Sequence, residues 1–363
     1  MSDATEKKAE PEKTDPAKPA PEKPEASTPP AVKADPKLVR VDREFKHGAP
    51  LFACRFDPLG RYVFAGAQDY LVQRWDLATC KAAPLAGHGS WVRAIAFTPD
   101  GQTTFTAGYD GRILFWDTAA EQPTPLRTID AHQGWVRSLH VSPDGKLLAS
   151  AGNDNLIKLW NTSDGSPVRQ LAGHANHVYY ALFHPSGQAI ASCDLKGIVK
   201  HWDVSTGNVT RELTAPALAK YDSTFGADIG GARGMTFSPD GKWLVASGII
   251  NVSNAFAGIG DVSAALLDWE SGKLVHQLVL KEVLRGVCWG VRFHPDGFII
   301  GSSGGGGGGS LIFWKPDAAQ EFFRFKLPAN TRDMDLHPDG LRVAVAMHSG
   351  TLGIYSMTAK PKS

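Results

Sequence analysis

Much of what places a chain in a familiar class is missing here. The 363 residues hold only four cysteines, Cys54, Cys80, Cys193 and Cys288, with no CxxC pair and no Cys–His ligand spacing. Such sparse, scattered thiols exclude a disulfide framework and a structural zinc site. They read as reduced, mostly packed side chains in a reducing compartment, the cytoplasm. No run of about eighteen apolar residues occurs and the start of the chain lacks an apolar stretch, so neither a membrane-spanning helix nor a secretory signal is expected. Three Asn-x-Ser/Thr matches, at Asn161, Asn208 and Asn251, therefore lack the export route that glycosylation needs. Formal charge is only +1, without the basic excess of a surface-wide nucleic-acid footprint. The glycine run at 304–309 has no lysine of the GxxxxGK[ST] kind, and Gly260 opens no dinucleotide fingerprint. A flexible, disordered turn is expected there, without nucleotide binding.

What is present is a repeat. Residues 131–161, AHQGWVRSLHVSPDGKLLASAGNDNLIKLWN, alternate apolar and polar side chains in three short runs. The runs are separated by Ser142-Pro143-Asp144-Gly145 and Gly152-Asn153-Asp154-Asn155, which are turn chemistry, so the unit reads as strand, turn, strand, turn, strand. Three short strands cannot bury both faces alone and call for neighbours of their own kind. A proline before the second strand recurs at Pro58, Pro99, Pro143, Pro185, Pro239, Pro295 and Pro338. An aromatic closes each third strand, at Trp75, Trp116, Trp160, Trp202, Trp269, Trp314 and Tyr355. Successive prolines lie 41 to 56 residues apart, and proline to aromatic is 17 residues in five of the units. That period belongs to four-stranded propeller blades.

The ends of the chain fit a closed ring. Residues 1–37 carry seven Lys, eight Asp or Glu and eight Pro, with Val32 the one large aliphatic after Met1. Such a Pro/Lys/Glu/Ala-rich segment cannot offset its ordering entropy by burial and is expected to be a disordered tail, a solubilising spacer. Residues 38–45, LVRVDREF, read as a fourth strand with no three strands before them. Residues 333–336, 341–347 and 352–355 are three strands with no fourth after them, ahead of a short tail at 358–363. The N-terminal strand is expected to complete the last blade and remove the open edge.

With Gly87-His88 and Trp116-Asp117, Ala131-His132 and Trp160-Asn161, and Gly173-His174 and Trp202-Asp203, residues 38–357 resemble the WD40 repeat (beta-transducin-like) family. The resemblance implies an all-β fold, a seven-bladed propeller of four-stranded antiparallel blades. It also implies a buried Asp–His–Ser/Thr–Trp network, at His88, Thr106, Asp110 and Trp116 in blade two and at His132, Ser150, Asp154 and Trp160 in blade three. Blade one has Ala65 at the hydroxyl position, and blade four has Lys196 at the acid position. Blades five to seven replace the histidine by Asp228, Leu284 and Leu327. His174, His177 and His184 are close in sequence, but two of them hold repeat positions, so no metal and no cofactor are expected.

The resemblance also implies that loops from the fourth to the next first strand, and from the second to the third, share the top face. The insertions at 215–231, 250–263 and 302–310 all fall in such loops on blades five and six, where binding sites commonly develop. Six positions before each repeat proline stand Phe52, Arg93, Arg137, Tyr179, Arg233, Trp289 and Arg332, at the channel mouth if first strands line the axis. Trp91, Trp135 and His177 lie two positions earlier in their blades. Guanidinium groups interleaved with aromatics make a receptor for a carboxylate, a phosphate or an acidic peptide. Their mutual repulsion calls for something anionic, or for local carboxylates such as Asp228 and Asp333, to balance it. The expected role is a non-catalytic scaffold for a protein or acidic peptide, with no membrane partner, acting as a monomeric ring or as a subunit of a larger assembly. A channel-centred hydrolase or lyase would need a base or metal ligands that this ring does not supply. Single-stranded nucleic acid could stack on the aromatics, but the near-zero net charge disfavours it.

Overall fold

The alternating runs form strands, and the turn chemistry sets where each ends. In blade three, Ser142 Oγ donates to Asp144 Oδ1 (2.6 Å) and accepts from the Leu147 N–H (2.9 Å), while the Gly145 N–H bonds back to the Ser142 carbonyl (2.8 Å). Gly145 sits at φ +76°, where a side chain would be strained. The turn reverses the chain between Val136–Val141 and Leu147–Gly152, and Leu156–Asn161 and Pro167–Ala172 complete a four-stranded antiparallel sheet.

A computed structural model describes residue 1 and residues 32–223, 226–254 and 259–360. Most of the expected tail at 1–37, and residues 361–363, lie outside those described. Among the described residues there are seven four-stranded antiparallel sheets and one extra two-stranded hairpin. The innermost strands touch in cyclic order, with Leu51–Phe56 of blade one against Thr331–Leu336 of blade seven. The ring is closed as expected: Arg40–Lys46 pairs with Thr351–Ser356 as the outer strand of blade seven. Just before it, Pro36–Leu38 forms a short 3-10 turn, Pro36 is buried, and the Asp35 N–H bonds to the Met357 carbonyl (2.8 Å).

The core is divided into wedges between neighbouring blades rather than gathered at one centre. One wedge joins Phe45, Leu51, Cys54 and Trp75 to Ala344, Ala346, Leu352 and Ile354 across the closure, and the other six interfaces have equivalent clusters. Second strands such as Leu147–Gly152 are buried almost throughout because blades cover both faces, whereas the outer strand Pro167–Ala172 buries only Leu171. The four cysteines are free thiols, all buried but Cys80. No helix among the described residues is long and apolar enough to cross a membrane.

The glycine run meets expectation only in its middle, where residues 305–308 make the turn between two strands. Gly301 and Gly304 belong to the strand Ile299–Gly304, and Gly309 opens Gly309–Trp314. A Cβ on Gly309 would lie 1.9 Å from the Ala329 carbonyl oxygen, and one on Gly304 2.4 Å from that of Thr331. These glycines are required by close backbone approach, not by a loose turn.

Candidate functional site

The upper mouth of the channel is built by a repeated irregularity. Six innermost strands shift register at the same point, between Leu51/Ala53, Val92/Ala94, Val136/Ser138, Val178/Tyr180, Cys288/Gly290 and Thr331/Asp333. The unpaired residues are Phe52, Arg93, Arg137, Tyr179, Trp289 and Arg332. In blade five, Arg233 directly precedes the strand Gly234–Phe237, and its N–H bonds to the Ser247 carbonyl (2.7 Å). A β-bulge turns the extra side chain out of the alternation, which here sends it to the axis instead of into a wedge.

Phe52, Arg93, Arg137, Arg233, Trp289 and Arg332, together with Trp91, line a cavity of about 230 Å³. Trp289 lies beneath three guanidinium groups, those of Arg332 (4.7 Å to the ring centroid), Arg93 (5.5 Å) and Arg233 (5.5 Å). Tyr179 is shared by Arg137 (4.4 Å) and Arg233 (4.7 Å). Trp135 is not a lining residue; it stacks on Tyr109 at 3.9 Å and carries Arg137 at 4.6 Å. The aromatics continue from Tyr109 through Trp91 to Phe52 as a connected arc. His177 bonds Asn155 (3.2 Å) and takes no part in the lining.

The electrostatics separate two sets of arginines. Deeper in the channel, Arg55 pairs with Asp333 (2.6 Å) and Arg292 with Asp335 (2.7 Å). At the mouth, none of Arg93, Arg137, Arg233 and Arg332 has a carboxylate within ion-pair distance among the described residues. The local acids expected to balance them are otherwise engaged, Asp333 by Arg55 and Asp228 by Lys196 (3.4 Å). Arg93 donates to the Phe52 carbonyl (2.7 Å) and Arg137 to Asn153 Oδ1 (2.7 Å), while the buried Nε of Arg233 and of Arg332 has no partner among the described residues. Burial, then the like charges of Arg233 and Arg93, push Arg137 below its ordinary value despite Tyr179 and Tyr109; burial, Arg93 and Arg233 do the same to Arg332. Burial raises the Tyr179 phenol, but the charges of Arg233 and Arg137 outweigh it and hold the group low. A site whose cations depress one another is one that an anion would relieve.

Three lining residues escape a reading based on the strands: Gln68, Tyr109 and His348. All stand ten positions after a repeat proline, as does Asn153, so the second-to-third-strand turn was the signal to inspect. The insertions meet the same site. The strands Ala219–Asp222 and Ala227–Gly230 pair as a hairpin, and Trp243–Asn254 with Ile259–Asp268 extends blade five upward. Ile249, Val252 and Val287 form a small apolar cluster against Ile229 and Trp289, so the lengthened loops brace the central aromatic of the ring.

The blade networks are structural. In blade two Trp116 Nε1 donates to Thr106 Oγ1 (2.8 Å), which meets His88 Nε2 (2.8 Å), and His88 Nδ1 bonds Asp110 (2.9 Å). Blade three repeats the chain through Trp160, Ser150, His132 and Asp154. Blade four has it too, because Asp194, two residues before Lys196, bonds His174 Nδ1 (3.1 Å) while Ser192 bonds His174 and Trp202. In blade one, with Ala65 offering no hydroxyl, His47 turns Nε2 onto Asp69 (2.9 Å). His184 bonds Ser186 and the Gly241 carbonyl, and no cluster of three or more metal-ligating side chains exists among the described residues.

A model of the WD40 family, described as WD domain, G-beta repeat, matches residues 79–117, 123–161 and 165–203. Each match ends on the Trp-Asp or Trp-Asn pair of a blade with a complete network. Comparison with curated proteins returned no match. WD40 propellers are in general non-catalytic protein-interaction scaffolds. The chain thus carries three WD40 repeats within a closed ring of seven four-stranded blades, a propeller arrangement.

Proposed function

We propose that this protein is a non-catalytic scaffold that captures an acidic segment of a partner protein at the upper channel mouth. The observation that carries the reading is the unbalanced charge there: four guanidinium groups without a carboxylate partner among the described residues, around Trp289 and Tyr179. Forked donors would grip carboxylates or phosphates while the aromatic arc covers the apolar parts of the segment. The unpaired Nε groups of Arg233 and Arg332 are donors such a ligand would satisfy. Free, mostly buried cysteines fit work in the cytoplasm.

The test is binding of a fluorescent Glu-rich peptide, and affinity capture from the native host, by wild type and by the Arg137→Glu/Arg233→Glu double variant. Capture should fall by at least about a hundredfold, since each charge-assisted contact is worth roughly tenfold. The melting temperature should not drop. Unchanged capture, or preference for a single-stranded oligonucleotide with steep salt dependence, would refute the proposal.

A further inference from the structure

A cavity of about 650 Å³ is at the opposite, lower end of the axis and takes no part in the site above. Its size is that of a pocket for a small molecule, a range of about 300–1,000 Å³. The walls are apolar, with Phe97, Leu139, Leu182 and Met235 among them, and the repeat prolines Pro58, Pro143, Pro185, Pro239 and Pro338 also line it. The inner end is polar and consists of Arg55, His140, Tyr180 and Arg292. A narrow neck of about 20 Å³, lined by Arg55 and Tyr180 on one side and Arg93, Arg137 and Arg233 on the other, separates it from the upper mouth.

Hydrogen-bond accounting shows what the inner end offers. Arg55 uses Nη1 on Asp333 and the Cys54 carbonyl. Arg292 uses Nε on Asp335 and Nη1 on the Val291 carbonyl. The Nη2 groups of both, and the Tyr180 hydroxyl, have no partner among the described residues, and none is sealed from solvent. His140 Nδ1 accepts the Phe183 N–H (3.2 Å), so the neutral ring carries its proton on Nε2, also without a partner. Burial, then Arg292 and Arg55, push His140 down to about 4, which keeps it neutral at ordinary pH. Every group left over can donate, and among the described residues along the axis six arginines face two aspartates.

We infer that the lower chamber is a binding site for a small organic carboxylate with an aromatic or branched aliphatic body. The carboxylate oxygens accept from Arg292, Arg55, Tyr180 and His140, and the body fills the space between the apolar walls. Two arginines already neutralised by aspartates would not hold a bare inorganic anion strongly, so the apolar body is part of what is recognised.

The experiment is calorimetric titration of the full chain with naphthylacetate and, as the uncharged counterpart, naphthylethanol. The acid should bind one per chain and at least about tenfold more tightly than the alcohol, the worth of one hydrogen bond to a charged group. Tyr180→Phe, which keeps the volume, should weaken the acid about tenfold and leave the alcohol nearly unchanged. Thr236→Trp should fill the chamber and abolish both; should it not fold, Tyr180→Phe decides alone. Failure of the acid to bind, equal affinity for acid and alcohol, or acid binding unchanged in Tyr180→Phe would overturn the inference. Binding lost in Trp289→Ala instead would place the anion at the upper mouth and overturn it as well.

Discussion

Phe45 tests whether the ring depends on its N-terminal strand. Its side chain is buried in the wedge between blades seven and one and stacks on Trp75, with ring centroids 5.4 Å apart and an interplanar angle of 22°. Phe45→Ala removes that burial and the ring pair together, and comparable core truncations cost about 3–5 kcal/mol. The strand is outermost and the site can partly collapse, so the lower end, about 3 kcal/mol, is expected. For a ring of this size the unfolding entropy is roughly 0.7 kcal/mol/K, which converts that loss to a fall in Tm of about 4 °C. Val41, on the same strand, is 48% exposed, and Val41→Ala should stay within about 0.5 kcal/mol. Both variants are measured by urea unfolding followed through tryptophan fluorescence. If Phe45→Ala unfolds at the same midpoint as Val41→Ala, the closing strand is not what holds the ring and the closure reasoning is wrong.

In blade two, Thr106→Ala leaves the buried Trp116 indole N–H and His88 Nε2 without the hydroxyl they share and should cost about 2–4 kcal/mol in urea unfolding; a loss below about 0.5 kcal/mol would reduce the network to decoration. Gly309→Ala drives a Cβ into the Ala329 carbonyl and should cost about 2 kcal/mol or more, whereas Gly306→Ala, whose nearest neighbour is 3.9 Å away, should be within about 0.5 kcal/mol. Stability should also fall with acid in two stages. His140 is held near 4 against an ordinary 6.5, so the unfolded chain takes up the proton first and stability declines as pH drops below 6.5, by up to about 1.4 kcal/mol per pH unit. Asp110, Asp154 and Asp194 are held low by His88, His132 and His174 against the opposing effect of burial, so their contribution is full at neutral pH and is lost below the ordinary carboxylate range. Urea midpoints from pH 3 to 8 should show both stages, with His140→Gln flattening the upper one and Asp110→Asn the lower.

The fold was legible because a blade repeats a pattern of prolines, turn residues and closing aromatics that survives even where the histidine does not. Closure was legible because an unpartnered strand at each end has one economical solution. The mouth was legible only as a column of equivalent positions. A bulge is a slip of one residue in hydrogen bonding, and nothing in the composition around Arg137 announces that Val136 and Ser138 pair and it does not. Asp194 was missed because counting from Ser192 assumes one turn shape, whereas its Oδ1 accepts from the Lys196 and Ile198 N–H groups in a tighter reversal. The glycine run showed its turn at 305–308 but not the strand glycines Gly304 and Gly309, because composition reports conformational freedom and says nothing about how near the next backbone lies. The lower chamber left no trace in the sequence, since Arg55, His140, Tyr180 and Arg292 come from four blades and meet only when the ring is closed.

The pairing of Arg40 with Ser356, and of Lys46 with Thr351, has a mechanical consequence. The backbone enters the ring and leaves it side by side, at one corner of blade seven. A pull between the two points loads the ladder one rung at a time, beginning at Arg40, like a zipper drawn from its tab rather than a lap joint in shear. When both ends are tethered, modest tension would peel the first strand away and open blade seven, while the six sectors beyond it carry none of the load.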